Sequence, residues 1–157
     1  MVVEIFNGKT IIVTGHTGFK GSWLSIWLSQ LGAKVIGISD RVPTDPSHYE
    51  LIKKNITKDL RINIKDPDAV FSVINDLQPD YVFHLAALAD IVPSIDYPEL
   101  YYASNVNGTF NVIEACRRAQ NIKKIVYSAS SSCYGIPQHV PTNENAEIKT
   151  VPELLIL

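Results

Sequence analysis

The chain has 157 residues, a length that suits one domain with its own hydrophobic core. Its 46% apolar and 19% charged content is typical of globular proteins and argues against disorder. The net charge of −2 excludes a strongly basic nucleic-acid surface, and two cysteines exclude a disulfide framework. Apolar runs are shorter than the ~20 residues that span a bilayer. We therefore expect one cytoplasmic domain without nucleic-acid or membrane partners.

Strand and helix patterns alternate along the whole chain. Strands are predicted at Lys9–Thr14, Lys34–Ile38, Leu60–Ile64, Tyr81–Leu85 and Lys124–Ser128. Helices are predicted at Ser22–Leu31, Asp66–Leu77 and about Tyr97 to Gln120, and a loop at residues 41–50. Strands that alternate with helices predict an α/β fold, a Rossmann-type doubly wound parallel sheet with helices on both faces.

A glycine-rich loop connects the first strand to the first helix. Residues 15–21 read Gly-His-Thr-Gly-Phe-Lys-Gly, a G-x-x-G-x-x-G spacing that allows a tight turn and close approach of a pyrophosphate. The following helix offers free N–H groups to the phosphates. An acidic residue, Asp40, ends the second strand roughly 20 residues later, where a carboxylate binds ribose hydroxyls. The loop and this carboxylate predict a dinucleotide site that includes Gly15, Thr17, Gly18, Phe19, Gly21 and Asp40. His16 is expected to be exposed and has no assigned role.

The cofactor is expected to be NAD, because the Asp40 carboxylate would repel the 2′-phosphate of NADP. Arg41 follows directly and could pair with that phosphate, which leaves NADP open. Both residues are therefore candidate cofactor contacts.

Several segments together resemble the extended short-chain dehydrogenase/reductase family, specifically its NAD-dependent nucleotide-sugar epimerases and dehydratases. These segments are Thr14–Gly21, Asp40, His84–Ala87, Asn105–Thr109 and Tyr127–Gly135. The resemblance implies that this part of the chain holds the dinucleotide and that a smaller sugar-nucleotide domain follows it. It also implies a nucleotide-sugar substrate, and a homodimer for the full-length parent protein.

The resemblance assigns roles to further residues. It places Asn63 and Ile64 beside the adenine, Leu85, Ala86 and Ala87 under the cofactor, Asn105 behind the site and Ser128 near the nicotinamide. An ordinary buried helix asparagine is an equally good interpretation of Asn105. Ser130 matches the catalytic Ser/Thr, which would hydrogen-bond the sugar 4-hydroxyl and relay its proton. The histidines and cysteines lack metal-ligand spacing, so no metal site is expected.

The sequence has features of two subfamilies, the dehydratases and the epimerases. Residues 15–24 are similar to CDP-glucose 4,6-dehydratases, which carry an Asp and then Glu or Lys after the catalytic Thr. Ser131 and Ser132 stand at those positions here, and neither supplies an acid–base pair at neutral pH. Residues 88–94 and 129–135 are similar instead to UDP-sugar 4-epimerases. We favour the epimerase, which acts through a transient 4-keto sugar, and keep the dehydratase as the alternative.

The base of the family is a tyrosine in a Tyr-x-x-x-Lys motif, and this sequence has no such motif after Gly135. Tyr49 and Lys53 fit the spacing but lie in the predicted loop, so we interpret that match as accidental. We expect residues 1–157 to be an NAD-binding Rossmann domain, truncated or frame-shifted near Thr150, before the substrate domain. Such a chain would bind NAD weakly or partially and would not turn over. A non-catalytic NAD-binding module and a relic without ligand are the alternatives.

Overall fold

The computed structural model describes residues 2–135 and 139–148. The strands of its sheet are β1 (Thr10–Thr14), β2 (Lys34–Ile38), β3 (Lys58–Leu60), β4 (Tyr81–His84) and β5 (Lys124–Tyr127). The α-helices are α1 (Phe19–Gln30), α2 (His48–Ile52), α3 (Pro67–Leu77), α4 (Ile91–Asp96), α5 (Pro98–Tyr101) and α6 (Thr109–Arg118). A π-helical segment, Tyr102–Gly108, joins α5 to α6. Short 3₁₀ turns lie at Val2–Ile5, Lys53–Asn55 and Ser131–Tyr134.

The five strands pair in parallel in the order β3-β2-β1-β4-β5. Both faces of the sheet are covered, because two separate hydrophobic clusters form around it. One cluster places Ile12 and Ile36 with Val70 and Val112 of α3 and α6, and the other places Ile11 with residues of α1 and β2. The predicted doubly wound fold is therefore confirmed.

The order of the strands creates a crevice above the middle of the sheet. From β1 the chain moves outward to β2 and β3, and then returns to place β4 on the other side of β1. The loops after β1 and β4 therefore diverge, and ligands of open α/β sheets bind at such a switch point.

Local sequence explains where α3 begins and ends. The Asp66 carboxylate accepts hydrogen bonds from the Asp68 and Ala69 N–H groups, both at 3.1 Å, and Pro67 occupies the first turn. Gln78 ends the helix with a left-handed φ of 41°. The prediction of this helix was correct at both ends.

Three predicted elements differ from the structure. The predicted end of the loop at residues 41–50 was wrong, because α2 begins at His48. The Ser47 hydroxyl caps this helix by accepting a hydrogen bond from the Tyr49 N–H. The third strand was predicted at residues 60–64, but the strand that pairs with β2 covers residues 58–60. Ile64 lies beyond it and packs in the core beside Gly108. The long helix from Tyr97 is divided into α5, the π-helical segment and α6.

None of the helices within the described residues is long and apolar enough to cross a membrane.

Candidate functional site: a dinucleotide cavity at the switch point

A cavity of about 690 Å³ lies at the carboxyl ends of β1, β2 and β4. This volume is in the range of small-molecule and cofactor sites. The predicted cofactor residues that line it are Gly15, Thr17, Gly18, Phe19, Asp40, Arg41, Asn63, Ile64, Leu85, Ala86 and Ala87. The fold therefore brings together residues from four separate parts of the sequence.

Each of the three glycines in the loop has a different structural role. Gly15 has a φ of +72°, and a Cβ there would lie 2.8 Å from the Ala86 nitrogen. A Cβ on Gly21 would lie 2.0 Å from the Gly15 carbonyl oxygen, so this glycine lets α1 pack against the loop. A Cβ on Gly18 would meet nothing closer than 3.4 Å. Gly15 and Gly21 are thus needed for packing, whereas Gly18 leaves the cavity side open.

The first turn of α1 faces this open side, and no side chain caps its N–H groups. Gly18 occupies the N-cap position without a side-chain hydrogen bond, and no acidic residue stands in the first turn. Free N–H groups at the positive end of a 12-residue helix attract phosphate oxygens. This end of the cavity is therefore suited to a pyrophosphate.

Thr17 connects the loop to the end of β2. Its side-chain oxygen lies 2.6 Å from the Arg41 carbonyl oxygen and 2.9 Å from the Ser39 hydroxyl oxygen. Since a carbonyl can only accept, Thr17 donates to Arg41 and the Ser39 hydroxyl donates to Thr17. Asp40, between these two partners, is exposed and lines the cavity.

His16 is buried, so the expectation that it is exposed was wrong. Its ring is 0% exposed, its Nε2 lies 3.0 Å from Asp59 Oδ1, and it packs edge-on against Tyr49. Burial lowers the pKa of His16, although Asp59 and the Ile38 carbonyl oppose this shift. Gly37 leaves room for the His16 ring, because a Cβ at position 37 would lie 2.3 Å from the imidazole. A glycine inside a buried strand was the signal in the sequence that this position is crowded.

Asp59 holds further groups on the same side of the sheet. Its Oδ2 accepts hydrogen bonds from the Tyr49 hydroxyl and, at 2.7 Å, from Arg61. Burial and the Asp59 hydrogen bond raise the pKa of Tyr49 to about 12, the opposite of what a catalytic tyrosinate needs. Lys53 pairs with Glu50 at 2.8 Å. These contacts support the interpretation that the Tyr49–Lys53 spacing is accidental.

The end of β4 is held by a buried relay through His84. The Ala86 N–H donates to the Thr14 hydroxyl oxygen at 3.2 Å, and this oxygen also hydrogen-bonds His84 Nδ1 at 2.6 Å. His84 Nε2 hydrogen-bonds the Thr109 hydroxyl at 2.9 Å, so one ring nitrogen of the neutral imidazole donates and the other accepts. Burial lowers the pKa of His84 to about 4, so the ring is neutral at pH 7. Within residues 2–135 and 139–148 there is no group of histidine, cysteine and acidic side chains that could hold a metal ion.

Asn105 acts on the cavity wall from behind. Its amide donates to the Leu88 carbonyl and its carbonyl accepts the Leu88 N–H, both at 2.8 Å. Leu88 lines the cavity and Asn105 is not among the described residues that do. The side chain therefore fixes the loop after β4.

The segment after β5 lies apart from the cavity. Ser128 and Ser130 are both exposed, and neither is among the described residues that line the cavity. The Ser128 N–H donates to the His84 carbonyl at 3.0 Å, and the Ser130 carbonyl accepts the Cys133 N–H. The described chain thus places the candidate catalytic serine outside the dinucleotide cavity.

Sequence reasoning missed the far wall of the cavity. That wall is lined by Asp90, Pro93, Tyr97, Leu100, Tyr101 and Ser104. These residues come from α4, α5 and the segments beside them, and the short α4 was not predicted. The proline in Ile91–Asp96 hid this helix, because proline is rare in helix interiors.

The model of the NAD dependent epimerase/dehydratase family matches residues 11–153. The chain belongs to this family. It is 40% identical over 132 residues to the CDP-glucose 4,6-dehydratase of Salmonella typhimurium, covering 83% of this chain and 37% of that protein. It is 31% identical over 138 residues to the UDP-glucose 4-epimerase of Bacillus subtilis, covering 86% of this chain and 40% of that protein.

Solved structures of epimerases share the fold. A UDP-glucose-4-epimerase from Stenotrophomonas maltophila, with bound NAD and formylated UDP-arabinopyranose, superposes with a TM-score of 0.78 at 26% identity. The match covers 91% of this chain and 43% of that chain. The chain therefore spans about two fifths of the length of the relatives it matches.

The cavity fits the cofactor in the family name. The uncapped first turn of α1 and the open side of Gly18 suit a pyrophosphate, and the Asp40 carboxylate suits a ribose diol. Leu85, Ala86 and Ala87 form an apolar wall of small and medium side chains between β4 and the cavity.

Proposed function

We propose that this chain is the NAD-binding part of a nucleotide-sugar 4-epimerase of the UDP-sugar type. The observation that carries the proposal is the cavity itself, which joins the uncapped N-terminus of α1 to the Asp40 carboxylate. Phosphate-binding amides and a ribose-binding carboxylate in one crevice are what a dinucleotide requires. When bound, NAD supplies a hydride acceptor and donor at the sugar C4.

The residues of the chain would bind and orient the cofactor. The N–H groups at Phe19 and beyond would hold the pyrophosphate, and Asp40 would accept hydrogen bonds from the ribose hydroxyls. Ile64 would lie beside the adenine, and the Asn63 side-chain carbonyl would accept a hydrogen bond from its amino group. Ala86 and its neighbours would lie under the cofactor, on a backbone that the Ala86–Thr14 hydrogen bond holds. Ser128 and Ser130 lie outside the described lining of the cavity; in our proposal Ser128 would be the residue near the nicotinamide and Ser130 would hydrogen-bond the sugar 4-hydroxyl once substrate is held.

Epimerisation is favoured over dehydration by the residues nearest the reaction. A 4,6-dehydratase must remove water across C5 and C6, which needs an additional acid and base. Ser131 and Ser132, directly after Ser130, provide neither. An epimerase needs only the proton relay at the 4-hydroxyl and a sugar that turns over between the two hydride transfers.

A CDP-glucose 4,6-dehydratase type is the second candidate, because the 40% identity to the Salmonella typhimurium enzyme favours it. The two activities give different products. The complete open reading frame that encodes this chain should be expressed and supplied with NAD and either UDP-glucose or CDP-glucose. The C4 epimer of UDP-glucose supports the epimerase, whereas loss of one water from CDP-glucose supports the dehydratase and overturns our choice.

The 157-residue chain by itself should bind NAD without turnover, because no Tyr-x-x-x-Lys motif follows Gly135 in it. Thermal denaturation with and without NAD tests the binding, since a ligand of the native state raises the melting temperature. An unchanged melting temperature would favour the alternative that the chain binds no ligand. Measurable epimerisation by this chain would contradict the proposed lack of turnover.

We also propose a cytoplasmic homodimer for the whole protein. Large apolar side chains repeat along one exposed face of the π-helical segment and α6, at Tyr102, Val106, Phe110 and Ile113. A face of this kind marks a protein contact. Sedimentation velocity should show a dimer that Phe110→Glu converts to monomer, and a wild-type monomer at all concentrations would contradict it.

A further inference from the structure

The backbone that carries Asp40 is anchored on both sides. The Ser39 N–H donates to the Leu60 carbonyl at 3.1 Å, and the Ser39 hydroxyl meets Thr17 at 2.9 Å. The Arg41 carbonyl accepts the Thr17 hydroxyl at 2.6 Å. One residue, Asp40, lies between these anchors, so Thr17 restricts how that residue can rotate.

Thr17 is well placed to hold this segment. It belongs to the glycine loop, and it is only 3% exposed, so water cannot easily replace its two hydrogen bonds. Its partners lie 22 and 24 residues away in the sequence. A single hydroxyl thus connects the pyrophosphate side of the cavity to the ribose side.

The segment that it holds carries two opposite charges in succession. Asp40 and Arg41 both line the cavity. A carboxylate accepts the ribose 2′-hydroxyl and repels a 2′-phosphate, whereas a guanidinium pairs with that phosphate. The backbone bends at Asp40, just beyond the end of β2, so a rotation at this bend changes how close each of the two charges comes to the ribose.

We propose that Thr17 is a positioning residue that sets the preference of this cavity for NAD over NADP. It does so by holding the Ser39–Arg41 backbone in an orientation that places the Asp40 carboxylate at the cavity. This inference rests on the proposed function, NAD binding in this cavity, and deepens it by assigning cofactor choice to a residue that need not touch the ribose.

Thr17→Val tests the inference, because valine keeps the shape and removes the hydroxyl. Dissociation constants for NAD and NADP are measured by isothermal titration calorimetry on the full chain. We expect the ratio of the NADP constant to the NAD constant to fall by about fivefold or more. Thr17→Ser retains the hydroxyl and should keep the wild-type ratio. Adding Arg41→Gln to Thr17→Val should remove the gain in NADP affinity.

The outcomes separate this inference from the proposed function. If the wild-type chain binds neither dinucleotide, both are wrong. If it binds NAD and the ratio is the same for Thr17→Val, only the inference is overturned. Equal weakening of both cofactors by Thr17→Val also overturns it, since that result indicates a general structural role. Should Thr17→Val not fold, Ser39→Ala removes one of the two side-chain bonds and must lower the ratio in the same direction.

Discussion

The centre of the sheet and its β5 edge differ in how deeply their polar side chains are buried. Around β1 and β2, the polar side chains Thr14, His16 and Thr17 are buried and hydrogen-bonded to distant parts of the chain. At the β5 edge, Tyr127 is 50% exposed and the following serines are exposed as well. The residues that we assign to cofactor binding thus lie in a packed region, whereas the candidate catalytic serine lies on an exposed edge.

This contrast explains which properties of the site the chain can carry alone. Buried hydrogen bonds within this chain fix the backbone of the glycine loop and of the Ser39–Arg41 segment. Ser130 is exposed and lies outside the described lining of the cavity. We therefore expect substitutions near β1 and β2 to change stability and NAD binding, and we order the following predictions by the size of the expected effect.

Gly21→Ala should have the largest effect. The new Cβ would lie 2.0 Å from the Gly15 carbonyl oxygen, so backbone must shift, at a cost of about 3 kcal/mol or more in the free energy of unfolding. Gly18→Ala is the matched control, because its Cβ meets nothing closer than 3.4 Å. It should leave urea unfolding unchanged and weaken NAD binding. Equal stability of the two variants would contradict the packing role of Gly21.

Acid should destabilise the β1–β4 region before it affects the surface carboxylates. Burial lowers the pKa of His84 from its ordinary 6.5 to about 4, so the unfolded chain takes up this proton first as pH falls. The pKa of the buried His16 is lowered as well. Between pH 6.5 and pH 4 the His84 contribution alone should remove about 3 kcal/mol from the free energy of unfolding.

Urea unfolding at several pH values measures this loss. The carboxylates whose pKa is lowered, Asp59, Asp80 and Glu114, lose their stabilising contribution only at lower pH, so the loss between pH 6.5 and pH 4 reports mainly on His84. His84→Asn should flatten the pH dependence over the same window while lowering stability at pH 7. An unchanged slope in this variant would show that His84 is not the titrating group.

Asn105→Ala should have an intermediate effect. It removes both hydrogen bonds to Leu88 and leaves two backbone groups unpaired, at a cost of about 2 kcal/mol. Asn107→Ala, an exposed position in the same π-helical segment, is the control and should be neutral. If both variants unfold at the same urea concentration, Asn105 does not hold the loop after β4.

Tyr49→Phe should have the smallest effect. It removes the hydroxyl that donates to Asp59 and should cost about 1 kcal/mol, with no change in NAD affinity. Tyr102→Phe serves as an exposed control. A loss of NAD binding in Tyr49→Phe would contradict the interpretation that the Tyr49–Lys53 spacing is accidental.

Prediction from the sequence was most accurate for features that neighbouring residues determine. Asp66, Pro67 and Gln78 define α3 through contacts within a few residues, and the glycine spacing defines the loop before α1. The errors come from distant contacts. His16 is buried because Gly37 on the next strand leaves room for its ring, and Ile64 leaves the strand pattern because it packs beside Gly108.

The candidate site shows the same division. The glycine loop and Asp40 were predicted from the strand ends that precede them, whereas Asn63, Ile64 and residues 85–87 were predicted from the family resemblance. The Thr17 bonds and the Asn105 bonds connect segments 17 to 24 residues apart, and no periodic pattern encodes them. The far wall was missed because Pro93 lies within the short helix α4 and interrupts its pattern.

The most direct test of the account is calorimetric titration of the 157-residue chain with NAD, beside the Asp40→Ala variant. Asp40 is exposed, so its replacement should not alter the melting temperature. We predict that the wild-type chain binds NAD and that Asp40→Ala weakens this binding by about tenfold. Absence of binding by the wild-type chain, or equal affinity of the two, would contradict the assignment of this cavity to NAD.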